Sequence, residues 1–549
     1  MNVTLWILDK VFGKRMWREM QKHLNEMVTA PGRTARDQSS KMLRMLAARP
    51  GPHVMLGETD WGEEMRLPVV DLLRLHALIT GGSGSGKTMA ILLMISAMLE
   101  AGEDSRAGWA IVDGAKSDLF LGALYLVKRR LDKLAACDPS AASRLRRRVR
   151  IIDFAAPAST VTPFNLLARW PNAEPDSFAS HQVDLLLDVL PNGDALKLAA
   201  APLKTLIQIL SAPEVGMSVI DLIRVLDDEE YLNEVLGRCH DGALVGTLTR
   251  QLGTISRSTR AALRRRLEVL VSSASVARML AGRTAPDFRR FQDEGCFVAV
   301  NCSGPNISGG LSQFLNTLVV SNFCRSVYAR RNPDVPFVVI ADESQHLFSS
   351  VIMREHLSDA GRLSRRYGTH FWFITQNLSA SVPDARLLRL LHTNVGWTWS
   401  GRGDPMDCAF LKPVIPVTGR RPQPKREHFE ETRFYTDAEE RTLLLEEIAN
   451  LANRNGYFWL KGQSSEAVKI RTANLDIPQG AELEKAVLSI RNDATIGQRV
   501  SRKEYDRSLD NQQRDEKLAR NHSDGDTALQ ETYRRGRAKS KQVNGGESA

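Results

Sequence analysis

LHALITGGSGSGKTMAIL, from Leu75 to Leu92, is the stretch whose reading decides the fold. It opens as an apolar run with the composition of a buried strand. It then breaks into Gly81, Gly82, Ser83, Gly84, Ser85 and Gly86, and resumes as a Met/Ala/Ile/Leu helix entered through Lys87 and Thr88. A GxxxxGKT turn between a strand and a helix is a P-loop in the context that the motif requires. Glycines let the backbone fold back so that successive N–H groups point at phosphate oxygens, and the helix N-terminus adds its positive dipole end. Lys87 is placed to reach the β- and γ-phosphates and the Thr88 hydroxyl to ligate Mg²⁺, so the expected ligand is ATP with Mg²⁺. A glycine-rich run can also be a plain linker, but the flanking strand and helix argue against that here.

Outward from this stretch, Val54 to Val70 alternates through Gly57, Gly62 and Pro68, as a hairpin feeding the P-loop strand would. Downstream, AGWAIVD (Ala107 to Asp113) and VRIID (Val149 to Asp153) read as strands on either side of a long basic helix. Strands alternating with helices predict an α/β fold with a mostly parallel sheet covered on both faces, whose ligands sit at the carboxyl ends of the strands. From residue 172 to 290, apolar residues recur at helical spacing in DLLLDVL, LKTLIQIL, VIDLIRVL and RRRLEVLVSS, which predicts an inserted all-α domain. The expected layout is a helical segment over 1–51, the P-loop domain over 52–171 and 291–480, the insert between them, and a charged tail over 481–549, disordered or partly helical beyond Asp493.

The resumed sheet carries the remaining chemistry. PFVVIADE, from Pro336 to Glu343, is an apolar strand ending in two carboxylates. Asp342 is expected to hold the Mg²⁺ shell and Glu343 to polarise the attacking water. THFWFIT (Thr369 to Thr375) delivers Gln376 to the same edge, where an amide can sense the γ-phosphate or orient water. Just before that strand stand Arg362, Arg365 and Arg366, either a solvated face or a finger reaching a neighbouring subunit's nucleotide.

The 549 residues allow about three domains of ordinary size. A net charge of +10 leans toward a polyanionic partner, although it also suits a protein that merely stays soluble. Six cysteines without a CxxC pair read as reduced thiols of a cytosolic protein. No apolar run approaches the roughly 20 residues needed to span a bilayer. Near the start, Trp6, Ile7, Leu8, Val11, Phe12 and Trp17 lie among Lys10, Lys14, Arg15 and Arg18, the pattern of a packing helix or of one lying on a membrane.

LITGGSGSGKT, IVDGAKSDL (Ile111 to Leu119), TPFNLL (Thr162 to Leu167), FVVIADESQHL, SRRYG and FWFITQN occur in the order that resembles the type IV secretion coupling proteins, within the FtsK/HerA superfamily of hexameric DNA-pumping ATPases. The resemblance covers about residues 52 to 475. It implies a RecA-like P-loop NTPase that hydrolyses ATP to move DNA toward a secretion channel. Lys87 and Thr88 are then the phosphate and Mg²⁺ ligands, Asp342 and Glu343 the Walker B pair, and Gln376 the sensor. Arg365 falls on the arginine that looks like the family's trans-acting finger, with Arg402 of TWSGRGD as a second candidate. The partners implied are DNA, bound without sequence preference, a relaxase or channel components, and five further copies in a homohexamer. Two features depart from the family: the two membrane-spanning helices are absent, and the usual Asp-Pro-Lys-Gly reads Asp113-Gly-Ala-Lys116-Ser. A cytoplasmic location, with peripheral association at the inner membrane, fits the first departure. A cytosolic HerA-like ATPase of DNA processing or phage defence, or an ATP-dependent receptor for protein substrates, would carry the same motifs.

Two basic clusters offer phosphate contacts: Arg144, Arg146, Arg147, Arg148 and Arg150, and Arg257, Arg260, Arg264, Arg265 and Arg266. Each taken singly reads first as a solvated helix face. ISGGLSQ (Ile307 to Gln313) contains the letters of an ABC signature, but in the wrong order and ahead of an extra helix.

Overall fold

The structure is a computed structural model that describes residues 39–101, 106–155, 160–170, 173–189, 198–351, 364–376, 385–417, 434–462, 466–497 and 499–511, with isolated positions between some of these. The amphipathic stretch at residues 6–18 lies outside the described residues.

Thirteen strands are formed among them. β1 (His53–Thr59), β2 (Glu64–Pro68), β3 (His76–Thr80), β4 (Gly108–Asp113), β5 (Val149–Asp153), β7 (Phe297–Asn301), β8 (Phe337–Ala341), β9 (Thr369–Thr375), β10 (Val395–Gly401), β11 (Asn455–Leu460) and β12 (Val468–Thr472) make one sheet in the order 2-1-12-11-10-3-9-8-4-7-5. The seven strands from β10 to β5 run parallel, and the other four join antiparallel. The second sheet pairs β6 (Thr160–Val161) with β13 (Val500–Ser501). The expected hairpin exists as β1 and β2, but it does not lie beside the P-loop strand. It pairs with β12 at the far edge, because β10 and β11 take the place next to β3.

The central strands are apolar along their length because both faces are covered, and alternation sends successive side chains to different cores. Ala77, Ile79, Trp109, Ile111, Trp372 and Ile374 join one core with α3 (Lys87–Ala101) and α4 (Asp118–Cys137). Leu78, Ala110, Val112, Val339 and Phe373 join the other with α14 (Gly309–Val327).

Between β6 and β7 the regular elements are helical: α6 (Pro175–Val189), α7 (Ala200–Leu210), α8 (Val219–Val225), α9 (Glu229–Arg238), α10 (Gly242–Thr254), α11 (Arg257–Leu267), a short 3₁₀ turn, α12 (Ala274–Leu280) and α13 (Phe288–Asp293). Their starts are set locally: Asp228, Asp241, Ser256 and Asp287 each accept a backbone N–H of the first turn. Their apolar faces merge with the α14 side of the sheet into one continuous core.

The C-terminal segment begins as a docked helix. Residues from 480 onward form α18 (Gly480–Asn492), numbered after α15 (Gln345–Ser349), α16 (Ala385–Asn394) and α17 (Asp437–Glu447). Leu483, Val487 and Ile490 of α18 are buried in the α3/α4 core. Arg491 donates to Asp153 at the end of β5, and Tyr505 donates to the carbonyl of Arg278 in α12. High charge hid this segment, since three apolar residues at helical spacing suffice to dock a helix. Residues 512–549 lie outside the described residues.

Candidate nucleotide-binding site

β3, β9, β8 and β4 are neighbours and parallel, so their carboxyl ends deliver the P-loop, Gln376, the acid pair and Asp113 to one edge. The loop itself uses glycine where the backbone demands it: Gly81, Gly84 and Gly86 have φ of 141°, 73° and 102°. A Cβ on Gly86 would stand 3.0 Å from the Cα of Arg454. Lys87, buried at the start of α3, donates from Nζ to the carbonyls of Gly81 and Gly82. Thr88 is exposed in the first turn, Ser85 is buried, and Ser83 and Gly84 form the exposed tip.

The acid pair is held from several sides. Asp342 N–H donates to Val112 O of β4 at 2.9 Å, and Asn316 of α14 donates to Asp342 O at 3.1 Å. Glu343 takes a left-handed conformation, φ 52°, and its N–H donates to Asp342 Oδ1 at 3.0 Å. A non-glycine residue held there is uncommon and worth attention at a site. Both carboxylate oxygens of Glu343 accept amide donors, Oε1 from Gln376 and Oε2 from Gln345. Gln345 in turn accepts from Thr375 Oγ1 at 3.2 Å.

The electrostatics follow from burial. Asp113 is fully buried and accepts the N–H groups of Ala115, Ser117 and Phe120 at 3.2, 3.2 and 3.0 Å. Burial raises its pKa against those bonds. Burial also pushes Asp342 up, to about 8, with Asp113 and Glu343 adding like charge and Lys87 opposing. Lys87 is lowered by burial first, while Asp342 and Glu343 favour its charge and Lys116 opposes it. Lysine and carboxylates therefore lie within electrostatic reach of one another.

Two participants were not singled out from sequence. Gln345 stands two residues after Glu343 in ADESQ, a cue available to anyone asking what orients the base. Arg454, at φ 65°, comes from the loop before β11, and nothing near it in sequence points to the P-loop.

This arrangement of strands has counterparts among solved structures. The bacterial conjugative coupling protein TrwBdeltaN70, in its unbound monoclinic form, is similar over 80% of this chain and 92% of its own, with 18% identity and a TM-score of 0.51. Its trigonal form in complex with sulphate is similar over 81% and 94%, again with 18% identity and a TM-score of 0.51. The chain has the coupling-protein fold. VirB4 of Thermoanaerobacter pseudethanolicus is similar over 78% of this chain and 98% of its own, at 13% identity and a TM-score of 0.45. No family model matches the sequence, and no curated protein sequence matches it.

Within the coupling-protein fold the two finger candidates part company. Arg365 lies in a 3₁₀ turn, Ser364–Tyr367, at the amino end of β9, the edge opposite the chain's own P-loop; its side chain is outside the described residues. At about 3.3 Å per residue, the seven residues of β9 separate the two edges by roughly 20 Å. Arg402 sits at the carboxyl end of β10, and its Nη2 donates to Ser83 O at 3.3 Å. It therefore adjoins the P-loop of its own chain.

The basic clusters are largely committed to structure. Arg148 donates to Ala107 O and Gly295 O and stacks 4.4 Å over Phe297; Arg150 is buried beside Glu294, and Arg146 pairs with Asp493. In α11, Arg264 pairs with Asp227 and Glu268, and Arg260 with Glu229, while Arg257 and Arg265 are exposed. Ser308 of the ABC-like segment caps α14 by accepting the Leu311 N–H at 3.3 Å. Cys296, Cys302, Cys324 and Cys408 are buried free thiols. Among the described residues, no helix is long and apolar enough to cross a membrane.

Proposed function

We propose that the chain is an ATPase that uses Mg·ATP turnover to move DNA, in the manner of a conjugative coupling protein delivering DNA, or a relaxase joined to it, to a secretion channel. The observation that carries this reading is the convergence on one sheet edge of Lys87, Asp342 and Glu343, with Gln376 donating to Glu343. TrwB has been solved with ADP and Mg²⁺; here the donor set itself argues for that pair. It offers oxygen only, a Thr88 hydroxyl and the Asp342 carboxylate, and among the described residues no cluster of three His, Cys, Asp or Glu could hold a metal. Such a sparse set suits Mg²⁺, which keeps several waters.

In this reading Lys87 leaves its loop carbonyls for the β- and γ-phosphates, and the loop N–H groups cradle the chain of phosphates. Glu343 accepts a proton from the attacking water, and Gln345 and Gln376 hold its two oxygens in a fixed direction for that transfer. Mg²⁺, when bound, neutralises developing charge on the terminal phosphate oxygens. Because Arg365 stands on the opposite edge from its own P-loop, a finger role for it requires a neighbouring copy, and a homohexamer supplies one. DNA contacts without sequence preference fall to exposed arginines such as Arg257 and Arg265. The working location is the cytoplasm, with peripheral association at the inner membrane.

The test is the steady-state ATPase rate of the full chain and of Glu343→Gln, with and without single- and double-stranded DNA, across a salt series. We expect DNA to raise the wild-type rate, salt to abolish the increase, and Glu343→Gln to lower kcat at least about 100-fold. Hydrolysis indifferent to DNA at low salt would instead favour an ATP-dependent receptor for protein substrates.

A further inference from the structure

The mechanism above leaves Arg402 without a task, although the chain is shaped to press it onto the P-loop. Glycine on either side lets the tip of β10 close in. A Cβ on Gly401 would stand 2.9 Å from Ser85 Cβ, and one on Gly403 would stand 3.2 Å from Gly81 Cα. The carbonyl of Arg402 accepts the Gly82 N–H at 2.6 Å. Its side chain continues along the loop, with Nη2 donating to Ser83 O and lying 3.7 Å from the place of a Cβ on Gly84. Backbone and side chain thus grip successive residues of one loop. The guanidinium is only half-buried, and its bond to Ser83 is long, 3.3 Å, and made to a neutral carbonyl. A guanidinium presents a planar fork of donors that matches two phosphate oxygens and binds anions more strongly than neutral acceptors.

We propose that Arg402 is a phosphate-binding residue of its own chain's nucleotide site, moving from Ser83 O to the phosphates of the nucleotide that Lys87 holds. The proposal rests on the ATP-binding reading above. It makes the β10 tip a second clamp on the nucleotide, acting in cis and separate from any finger contributed by another copy. It also gives GRG a reason for both glycines: they fix the backbone so closely that a short swing of one side chain suffices.

The experiment uses the full chain as wild type, Arg402→Ala and Arg402→Lys. Binding of Mg·ATP and Mg·ADP is titrated, and melting temperatures are taken without nucleotide. Arg402→Ala should raise the Kd for Mg·ATP at least about tenfold, with an unliganded melting temperature within about 1 °C of wild type, and Arg402→Lys should recover part of the loss. Mixing Arg402→Ala with Lys87→Ala chains should restore no hydrolysis, since both residues serve the same nucleotide. An unchanged Kd for Arg402→Ala overturns the proposal, while wild-type hydrolysis that depends on Lys87 leaves the ATPase reading standing. A lowered unliganded melting temperature with no recovery in Arg402→Lys overturns it in favour of a brace. Restored hydrolysis in the mixture overturns it in favour of action across subunits.

Discussion

At the scale of single residues, the site is a set of charges whose protonation is set first by burial and then by one another. Asp342 carries the consequence most open to measurement. Its folded pKa is raised above that of an unfolded aspartate, chiefly by burial and then by Asp113 and Glu343. The folded chain therefore binds this proton more tightly than the unfolded chain. That contribution is fully present below about pH 4 and is lost as pH rises through about 8. Asp342→Asn removes the cost. In buffer free of Mg²⁺ and nucleotide, its melting temperature should match wild type at about pH 4, rise above it as pH increases, and exceed it most above pH 8, by about 2 °C per kcal/mol relieved. A constant offset across the range would mean that Asp342 ionises freely. The same variant should lose Mg²⁺-dependent hydrolysis, because the Asp342 carboxylate is the group proposed to hold the ion. The acid pair itself was legible as two carboxylates ending an apolar strand. The influence of Asp113 on Asp342 was not, because it depends on β4 lying beside β8.

Elements are joined at their ends by polar contacts that local propensity does not foretell. The pairing of Arg491 in α18 with Asp153 of β5 is the best placed of these, with the carboxylate 2% exposed and the guanidinium 14%. Asp153 also accepts from Asn301 Nδ2 at 3.0 Å. Removing the arginine leaves a buried charge with two neutral donors, Asn301 Nδ2 and the Ala155 N–H, so Arg491→Ala should cost about 3–5 kcal/mol in denaturant unfolding. Adding Asp153→Asn should recover most of it, since no charge is then stranded. A cost below about 1 kcal/mol would show that α18 is held by its apolar face alone. The helix was legible in neither composition nor charge. Its three apolar residues gain meaning only from the groove beside α4 that receives them.

The whole molecule is tied together by its C-terminal segment. After α18 docks beside α4, β13 pairs with β6, Arg278 pairs with Asp506, and Tyr505 lies over Gly282, where a Cβ would stand 2.4 Å from its hydroxyl. These contacts join the α4 side of the sheet to α12 in the helical region. Ending the chain after Gln479 removes them all and uncovers apolar surface on α4. The truncated chain should lose cooperative thermal unfolding or come out of solution on heating, read by calorimetry and light scattering. A melting curve like that of the full chain would show that the sheet and the helices need no tie.

The sequence by itself determined the P-loop, the strand ending in Asp342 and Glu343, the strand delivering Gln376, and the alternation that makes the sheet mostly parallel. Each of these is a local pattern: glycines where the backbone needs positive φ, or apolar runs where both strand faces are buried. Only the tertiary structure decided that β10 and β11 stand between the hairpin and β3. It likewise brought Arg402, 319 residues from Ser83, onto the P-loop tip, and left Arg365 on the opposite edge. It also drew arginines of both clusters, among them Arg146, Arg150, Arg260 and Arg264, into ion pairs, and docked the helix that opens the C-terminal segment. Strand order and charge pairing are long-range choices, fixed by which surfaces fit once the elements exist, and no window along the chain contains them.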